Sequence, residues 1–155
     1  MGLLHRLKLR FCPPRMTDPE FGELTYIFIP KYPERSYWEG EWLFPNTKSK
    51  VAIGLDGDES GPNPEGRDFY LGFTSKFDRI ISLVRPKLAD VFIERLKEAL
   101  PDDIFTAVKL SGFGVDNPAS SPLEWSIDFE TIGVKWLGIS IPFIDETPQN
   151  ARVDT

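Results

Sequence analysis

Alternating apolar and polar residues predict three strands in the first third of the chain. In the clearest of them, Trp38 and Trp42 fall on one side of residues 36–44, and acidic residues fall on the other. The alternation resumes after a Pro-Asn-Thr stretch that is typical of a turn. We therefore expect strands over residues 23–29, 36–44 and 49–56, with a hairpin joining the second and third.

The spacing of apolar residues changes to a helical period after a loop rich in glycine and proline. Apolar side chains recur every three or four positions from Phe69 to Val84, and a second stripe runs from Leu88 to Leu100. Pro86 separates the stripes, and proline is best tolerated in the first turn of a helix. The pattern predicts a hairpin of two helices, over about residues 64–84 and 86–100.

Gly72 leaves the start of the first of these helices open. Glycine inside a helix costs about 1 kcal/mol relative to alanine. A start at Thr74 or Ser75, with Asp78 completing a capping box, is therefore an alternative to a start near residue 64.

Three further strands are predicted after the helices, over residues 104–113, 123–132 and 134–143. In the second of them, Trp125 and Phe129 alternate with polar and acidic residues, which is typical of an antiparallel strand with one buried side. No strand–helix–strand alternation is evident. The sequence therefore predicts an α+β fold in the order βββ-αα-βββ, a mostly antiparallel sheet of about six strands with both helices on one face.

The two ends of the chain differ in character from the segment between them. Residues 1–15 are basic and stop at a Cys-Pro-Pro stretch, so they form either an edge strand or an extension outside the folded domain. We favour the extension. Residues 16–144 then form a single domain of ordinary size, and residues 145–155 a polar, frayed tail.

The charge of the chain is unevenly distributed. Arg6, Lys8, Arg10 and Arg15 fall in a segment without acids, and the rest of the chain has 14 basic and 24 acidic residues, a net charge near −10. Such a surface repels nucleic acid and anionic lipid and attracts basic proteins. The single cysteine, Cys12, cannot form a disulfide within the chain, so a cytoplasmic location is expected. No apolar run reaches the ~18 residues of a membrane span.

Most familiar catalytic and cofactor-binding arrangements are missing from the sequence. One histidine and one cysteine cannot form the usual zinc site, and a nucleophile–histidine pair would need His5 from the N-terminal segment. No G-x-x-x-x-G-K-[ST] phosphate loop occurs, and the glycines at Gly112 and Gly114 lack the third glycine of a dinucleotide fingerprint. We therefore expect no cofactor.

The loop after the third predicted strand partly matches a calcium-binding loop. Asp56, Asp58 and Ser60 stand at the first, third and fifth positions, and Gly61 stands at the sixth. The twelfth position, which requires a bidentate glutamate, is Arg67, and a strand rather than a helix precedes the loop. The candidate metal ligands are Asp56, Asp58 and Ser60. The alternative, which we favour, is an acidic turn between strand and helix.

Acidic and aromatic residues share the polar sides of the predicted strands. Paired carboxylates perform acid–base chemistry when a cleft brings them together, whereas aromatics among acids are typical of a surface that binds a basic protein. Alternatively, the aromatic residues pack under the N-terminal segment. The candidate partner-binding residues are Tyr37, Glu39, Glu41, Glu124, Asp128, Glu130 and Trp136.

Three short motifs separate the predicted elements: D-P-x-F-G-x-L at residues 18–24, W-x-G at 38–40 and R-P-x-L at 85–88. Over residues 16–143 the chain resembles a group of bacterial proteins that carry a domain of unknown function. The resemblance implies a small α+β fold that starts near the first motif, and no established activity. Small immunity proteins, which bind and block a toxin, are loosely similar.

These features lead us to expect a non-enzymatic, cytoplasmic protein-binding domain of the immunity type. Its acidic sheet face would bind a basic protein, and no nucleic-acid or membrane partner is expected. The alternative is a small-ligand-binding protein or a carboxylate-dependent enzyme that uses residues 56–68. A flat acidic face would favour the first function, and a deep pocket lined by Trp38 and convergent carboxylates would favour the second.

Overall fold

Strands from both halves of the chain join one mixed sheet. The computed structural model describes residues 2–155, and these contain two helices, α1 (Leu3–Phe11) and α2 (Pro64–Val91). The strands are β1 (Arg15–Asp18), β2 (Gly22–Ile27), β3 (Tyr37–Phe44), β4 (Ser49–Asp58), β5 (Gly61–Pro62), β6 (Val108–Val115), β7 (Glu124–Thr131), β8 (Gly138–Ile144), β9 (Thr147–Pro148) and β10 (Arg152–Asp154). Their order is β1-β2-β3-β4-β6-β7-β8-β10, with β5 on β4 and β9 on β8.

The pairing of β4 with β6 makes the sheet mixed rather than antiparallel. β1 to β4 form one antiparallel meander and β6 to β8 another. β4 and β6 run parallel and meet at Ala52 and Gly112, with α2 connecting them. The α+β class is confirmed, but the expectation of about six mostly antiparallel strands in the order βββ-αα-βββ is wrong. Alternation locates strands without determining which strands are neighbours, so it did not show the central strand–helix–strand unit.

One continuous helix replaces the predicted hairpin over 64–84 and 86–100. α2 passes through Pro86, and a π-helical turn, Phe92–Leu96, follows it. Proline inside a helix costs ~3 kcal/mol, and burial of one long apolar stripe against the sheet outweighs that cost. None of the helices within residues 2–155 is long and apolar enough to cross a bilayer. The stripe keeps its spacing across the proline: Phe73, Phe77, Ile80, Val84, Leu88 and Val91.

Regular structure extends into both ends of the chain. Residues 3–11 form a helix rather than an edge strand, and Leu9 of this helix is buried in the core. At the other end, the expected frayed tail contributes β9 and β10, which pair with β8. Arg152 of β10 lies opposite Ser140, and Asp154 lies opposite Gly138. Backbone hydrogen bonds hold the tail, which is why its polar composition did not reveal the pairing.

The core lies between α2 and the face of the sheet that α2 covers, the inner face. Phe73 of α2 stacks on Phe113 of β6 with ring centroids 4.2 Å apart, and Phe77 packs edge-on against Phe44 of β3 at 5.0 Å. We call the opposite side of the sheet the outer face. Burial is confirmed for the tryptophans whose spacing placed them inside: Trp38, Trp42 and Trp125.

The D-P-x-F-G motif joins the first hairpin to the helix. The buried carboxylate of Asp18 accepts backbone N–H bonds from Glu20 at 2.8 Å and Phe21 at 3.1 Å. It also forms an ion pair with Arg67 of α2. Gly22 follows with φ 77°, a conformation that favours glycine. The motif therefore fixes the β1–β2 turn and connects it to α2.

The other two motifs also hold neighbouring segments of the chain together. A Cβ at Gly40, in W-x-G, would lie 2.8 Å from the carbonyl oxygen of Glu23, so glycine permits the close approach of β2. In R-P-x-L, Arg85 donates to the carbonyl of Pro101 at 3.2 Å and thereby holds the segment that follows α2. Both contacts are explained by packing alone.

Candidate functional site

The outer face is open along β3 and β4. Glu39 and Glu41 project from β3 and are exposed, and Tyr37 lies half-buried on the same side. Lys50 of β4 lies 3.5 Å from Glu41, with the two side chains 70% and 69% exposed. A pair this exposed contributes little stability. The candidate residues of β3 thus share one solvent-facing surface.

A second row of acids occupies the outer side of β7. Glu124 is exposed, whereas Asp128 and Glu130 are partly buried. Glu130 lies opposite Lys109 of β6, and Asp128 lies opposite Ser140 of β8. The structure therefore places both predicted groups of acids on one face of the sheet.

The strand register aligns the two rows across the sheet. Glu41 pairs with Ala52, Ala52 with Gly112, and Gly112 with Asp128. Three strand steps of ~4.8 Å separate the backbones of Glu41 and Asp128 by roughly 14 Å, with only small residues between them. We call this surface the acidic trough; its residues are Tyr37, Glu39, Glu41, Ala52, Gly112, Glu124, Asp128 and Glu130.

Trp136 lies beside the end of the acidic trough. It belongs to the loop between β7 and β8 and is 51% exposed. A Cβ at Gly138 would come within 3.2 Å of its ring, and Gly138 pairs with Glu130. The N-terminal helix α1 instead packs against β2, near the other edge of the sheet. Trp136 is therefore an exposed aromatic next to acids.

The hydroxyl of Tyr70 reaches between β4 and β6 from the helix side. It accepts a hydrogen bond from the N–H of Gly54 at 3.1 Å and donates to the Gly54 carbonyl at 3.1 Å. The carbonyl of Phe113 lies 3.4 Å away. Burial, together with the charges of Asp128 and Asp56, raises the pKa of Tyr70 despite these bonds. Tyr70 thus completes the central strand pair where the two strands no longer bond directly.

The pKa is raised for two carboxyl groups near this junction. Burial raises the pKa of Asp128, and the nearby hydroxyls of Ser140 and Ser126 offset only part of that effect. Partial desolvation raises the pKa of Asp56, and the charge of Asp116 adds to it. Both groups lie in an environment that disfavours the charged form of the carboxyl.

Replacing Asp128 with asparagine should raise the free energy of unfolding at neutral pH by roughly 0.5–2 kcal/mol, the usual gain from removing an unfavourable surface charge. Because the folded-state pKa of Asp128 lies above the unfolded value, its ionisation lowers stability as the pH rises through this range. The advantage of Asp128→Asn should therefore vanish in acid, below about pH 4. Urea titrations at both pH values measure it, with the exposed Asp78→Asn as control. A loss of stability at neutral pH would contradict the account.

The loop that partly matched a calcium site forms a tight turn between β4 and β5. The carboxylate of Asp58 accepts bonds from the N–H and the hydroxyl of Ser60, with the N–H bond at 2.8 Å. Asp56 lies two residues earlier on β4, which ends at Asp58. Over residues 2–155, no three side chains of His, Cys, Asp or Glu cluster as metal ligands. The geometry offers calcium binding no support.

Two depressions flank the sheet at its β7–β8 end. On the outer face, a polar depression of about 670 Å³ has Asp116, Glu124 and Arg152 among its lining residues. On the helix side, a groove of about 500 Å³ has an apolar floor that includes Phe69 and Trp125. Neither depression is lined by Trp38, whose indole N–H donates to the carbonyl of Asp58 at 2.8 Å. The deep pocket that would favour a ligand-binding function at Trp38 is therefore not one of these.

Sequence reasoning missed three residues of the site. Tyr70 belongs to the buried helix stripe, and nothing in its spacing shows that its hydroxyl bonds to a strand. Asp116 follows β6, and its proximity to Asp56 depends on the parallel pairing of β4 with β6. Arg152 lies in the segment whose polar composition predicts a tail. Only the sheet topology brings these groups to the outer face or its central junction.

No family model, curated protein or solved structure matches the chain. The resemblance to bacterial domains of unknown function therefore stays a prediction. Its three motifs have structural explanations in this fold, so they assign no function.

Proposed function

We propose that the chain is a cytoplasmic protein-binding domain whose acidic trough holds a basic surface of another protein. The observation that carries this proposal is the arrangement of the acids: two rows on one open face of the sheet, with small residues between them. A shallow surface of this shape suits a protein better than a small ligand, which needs a concave pocket.

The acids of the trough form few ion pairs within the described part of the chain. Among residues 2–155, Glu39, Asp128 and Glu130 take part in no ion pair, and Glu41 has only its exposed contact with Lys50. A lysine or arginine from a partner would supply the missing countercharge and would lower the raised pKa of Asp128. The cost of ionising the partly buried Asp128 in the free protein would then be offset in the complex.

Apolar and aromatic side chains accompany the acids. Leu43 is 62% exposed on the outer side of β3, and Trp136 is 51% exposed near the end of β8. Tyr37 contributes a third contact on β3. Aromatic anchors surrounded by polar groups are typical of protein interfaces. The polar depression lined by Asp116, Glu124 and Arg152 offers space for one side chain of a partner.

The immunity-type version of this proposal makes the partner a basic effector protein. Electrostatic attraction between the trough and such a partner would give fast association that weakens with added salt. Catalysis by the carboxylates is the less favoured function, because neither depression at the β7–β8 end is lined by acids of both rows.

A photoreactive residue placed on the outer face tests the proposal. Benzoylphenylalanine replaces Leu43, which is 62% exposed beside the trough, or Ile93, which is 56% exposed at the end of α2. Irradiation of cells that express the full chain should link a basic protein to the Leu43 variant, with mass spectrometry identifying it. The Ile93 variant controls for nonspecific capture at an exposed apolar position. Equal capture of the same protein at both positions would contradict the proposal.

A further inference from the structure

α1 presents an apolar stripe to solvent. Leu3, Leu4 and Phe11 are 74%, 83% and 72% exposed, and Leu7 is 41% exposed. At 3.6 residues per turn, these four side chains fall within an arc of about 100°. The opposite side of the helix attaches it to the protein: Leu9 is buried, and His5 lies 2.8 Å from Glu59. Packing within the chain therefore uses the side of α1 that does not carry the stripe.

Basic side chains border the stripe on both sides. Lys8 lies along one edge of it, and Arg6 and Arg10 lie along the other, as the helical period requires. Arg10 stands 5.8 Å from the ring of Phe11, so charge and apolar surface adjoin directly. No acid occurs from residue 2 to residue 15. The exposed side of α1 is thus a compact apolar strip with a cationic border.

The basic helix and the acidic trough lie on different sides of the sheet. Leu9 joins the core, which lies between α2 and the inner face, whereas the trough is on the outer face. When α1 approaches a negative surface, the acids of the trough therefore remain on the other side of the sheet and do not repel that surface at close range. The sequence-based expectation of no membrane partner used the negative charge of the chain outside residues 1–15, whereas the fold places basic α1 and the acidic trough on different sides of the sheet.

We propose that α1 docks flat on an anionic lipid surface, as a docking site independent of the acidic trough. The four apolar side chains would enter the boundary between headgroups and acyl chains, and the bordering cations would contact lipid phosphates and carboxylates. A lipid surface accepts an exposed strip of this kind without a shape-matched groove. An acidic protein would need such a groove to cover the stripe while meeting cations on both of its edges.

Co-sedimentation of the full chain with vesicles tests this proposal. The unmodified protein should sediment with vesicles that contain phosphatidylserine and stay in solution with vesicles of phosphatidylcholine alone. Leu4→Glu with Phe11→Glu should abolish sedimentation, because both side chains lie in the stripe and are exposed in the free protein. The matched control is Ile132→Glu with Val134→Glu, at positions 57% and 110% exposed, and it should bind as the parent does.

The cations are tested separately. Each Lys or Arg near an anionic membrane contributes about a fivefold factor, so Lys8→Glu with Arg10→Glu should lower binding at least about 25-fold. Lys31→Glu with Lys109→Glu changes the net charge equally at exposed positions outside α1 and should preserve most of the binding.

Two results would overturn the lipid proposal. The first is failure of the unmodified protein to bind phosphatidylserine vesicles. The second is binding that the stripe and α1 charge variants lower no more than their controls do. Light scattering measures whether the protein self-associates. Self-association that depends on Leu4 and Phe11, without vesicle binding, would mean that a second copy of the chain covers the stripe. None of these results bears on the cross-linking at Leu43.

Discussion

Reversing Glu124, Asp128 and Glu130 to lysine together should lower the affinity for the basic partner captured at Leu43 by at least about 100-fold. These residues form the β7 row of acids on the outer face. Reversal replaces attraction by repulsion at three positions along one strand, and like charges across an interface cost several kcal/mol, with each 1.4 kcal/mol equal to a factor of ten. Titration calorimetry with the purified partner measures the change.

A matched variant separates the position of the charges from their number. Asp78, Asp90 and Glu94 are exposed on or just after α2, and their reversal to lysine changes the net charge equally. This control should reduce affinity much less, mainly through slower association. If both triple variants weakened binding alike, the net charge of the chain rather than the acidic trough would explain the interaction. Circular dichroism of each variant verifies that the fold is retained.

Replacing Asp18 with alanine should destabilise the fold by about 3–5 kcal/mol, the usual cost of removing one partner from a buried ion pair. The change removes the contact with Arg67 and leaves the N–H groups of Glu20 and Phe21 without their acceptor. Because this loss is a large fraction of the stability of an ordinary domain, it should be evident in a urea titration. The exposed Asp90→Ala serves as control and should change stability little.

The effect of Asp18 on stability should depend on pH. Burial alone would raise the pKa of Asp18, but the bonds from Arg67, Glu20 and Phe21 outweigh it, so the pKa lies below its usual value. The carboxylate therefore stabilises the fold fully above the unfolded-state pKa, about 4, and this contribution declines as the pH falls through the folded-state pKa. The difference between the parent and Asp18→Ala should shrink in acid. A difference that stayed constant down to pH ~2 would contradict the role of the ionised carboxylate.

Much of the strand pattern could be predicted from the sequence, but the neighbours of each strand could not. Trp38, Trp42 and Trp125 alternate with polar residues, and that alternation correctly indicated their burial. The parallel contact of Ala52 with Gly112 has no local signal, because it depends on where α2 returns the chain. The two meanders on either side of that contact have the sequence pattern of antiparallel sheets.

Pro86 shows why local signals failed for the helix. Proline usually marks a helix end. Pro86 divides the apolar stripe between Phe69 and Leu100 into two parts, each long enough for one helix of a hairpin. The buried residues Val84 and Leu88 keep the same stripe on both sides of it, so a continuous helix covers more of the sheet than a hairpin broken at this point. Tertiary packing therefore outweighs the local preference.

Only part of the chemistry of the candidate site could be predicted from the sequence. Alternation placed Glu39 and Glu41 on one side of their strand, and Asp128 on one side of its own, and the structure agrees. Only the sheet order shows that the acids of these strands lie on one solvent-exposed face with small residues between them. The raised pKa of Asp128 also depends on packing around it, which sequence spacing does not describe.

The cross-linking comparison between Leu43 and Ile93 determines which face of the protein a partner touches. We expect a basic protein to be captured at Leu43, capture at Ile93 to be weak, and the Glu124, Asp128 and Glu130 reversal to remove the Leu43 adduct. An adduct at Leu43 that persists unchanged in the triple reversal would contradict the claim that the acidic trough is the binding surface, and so would capture confined to Ile93.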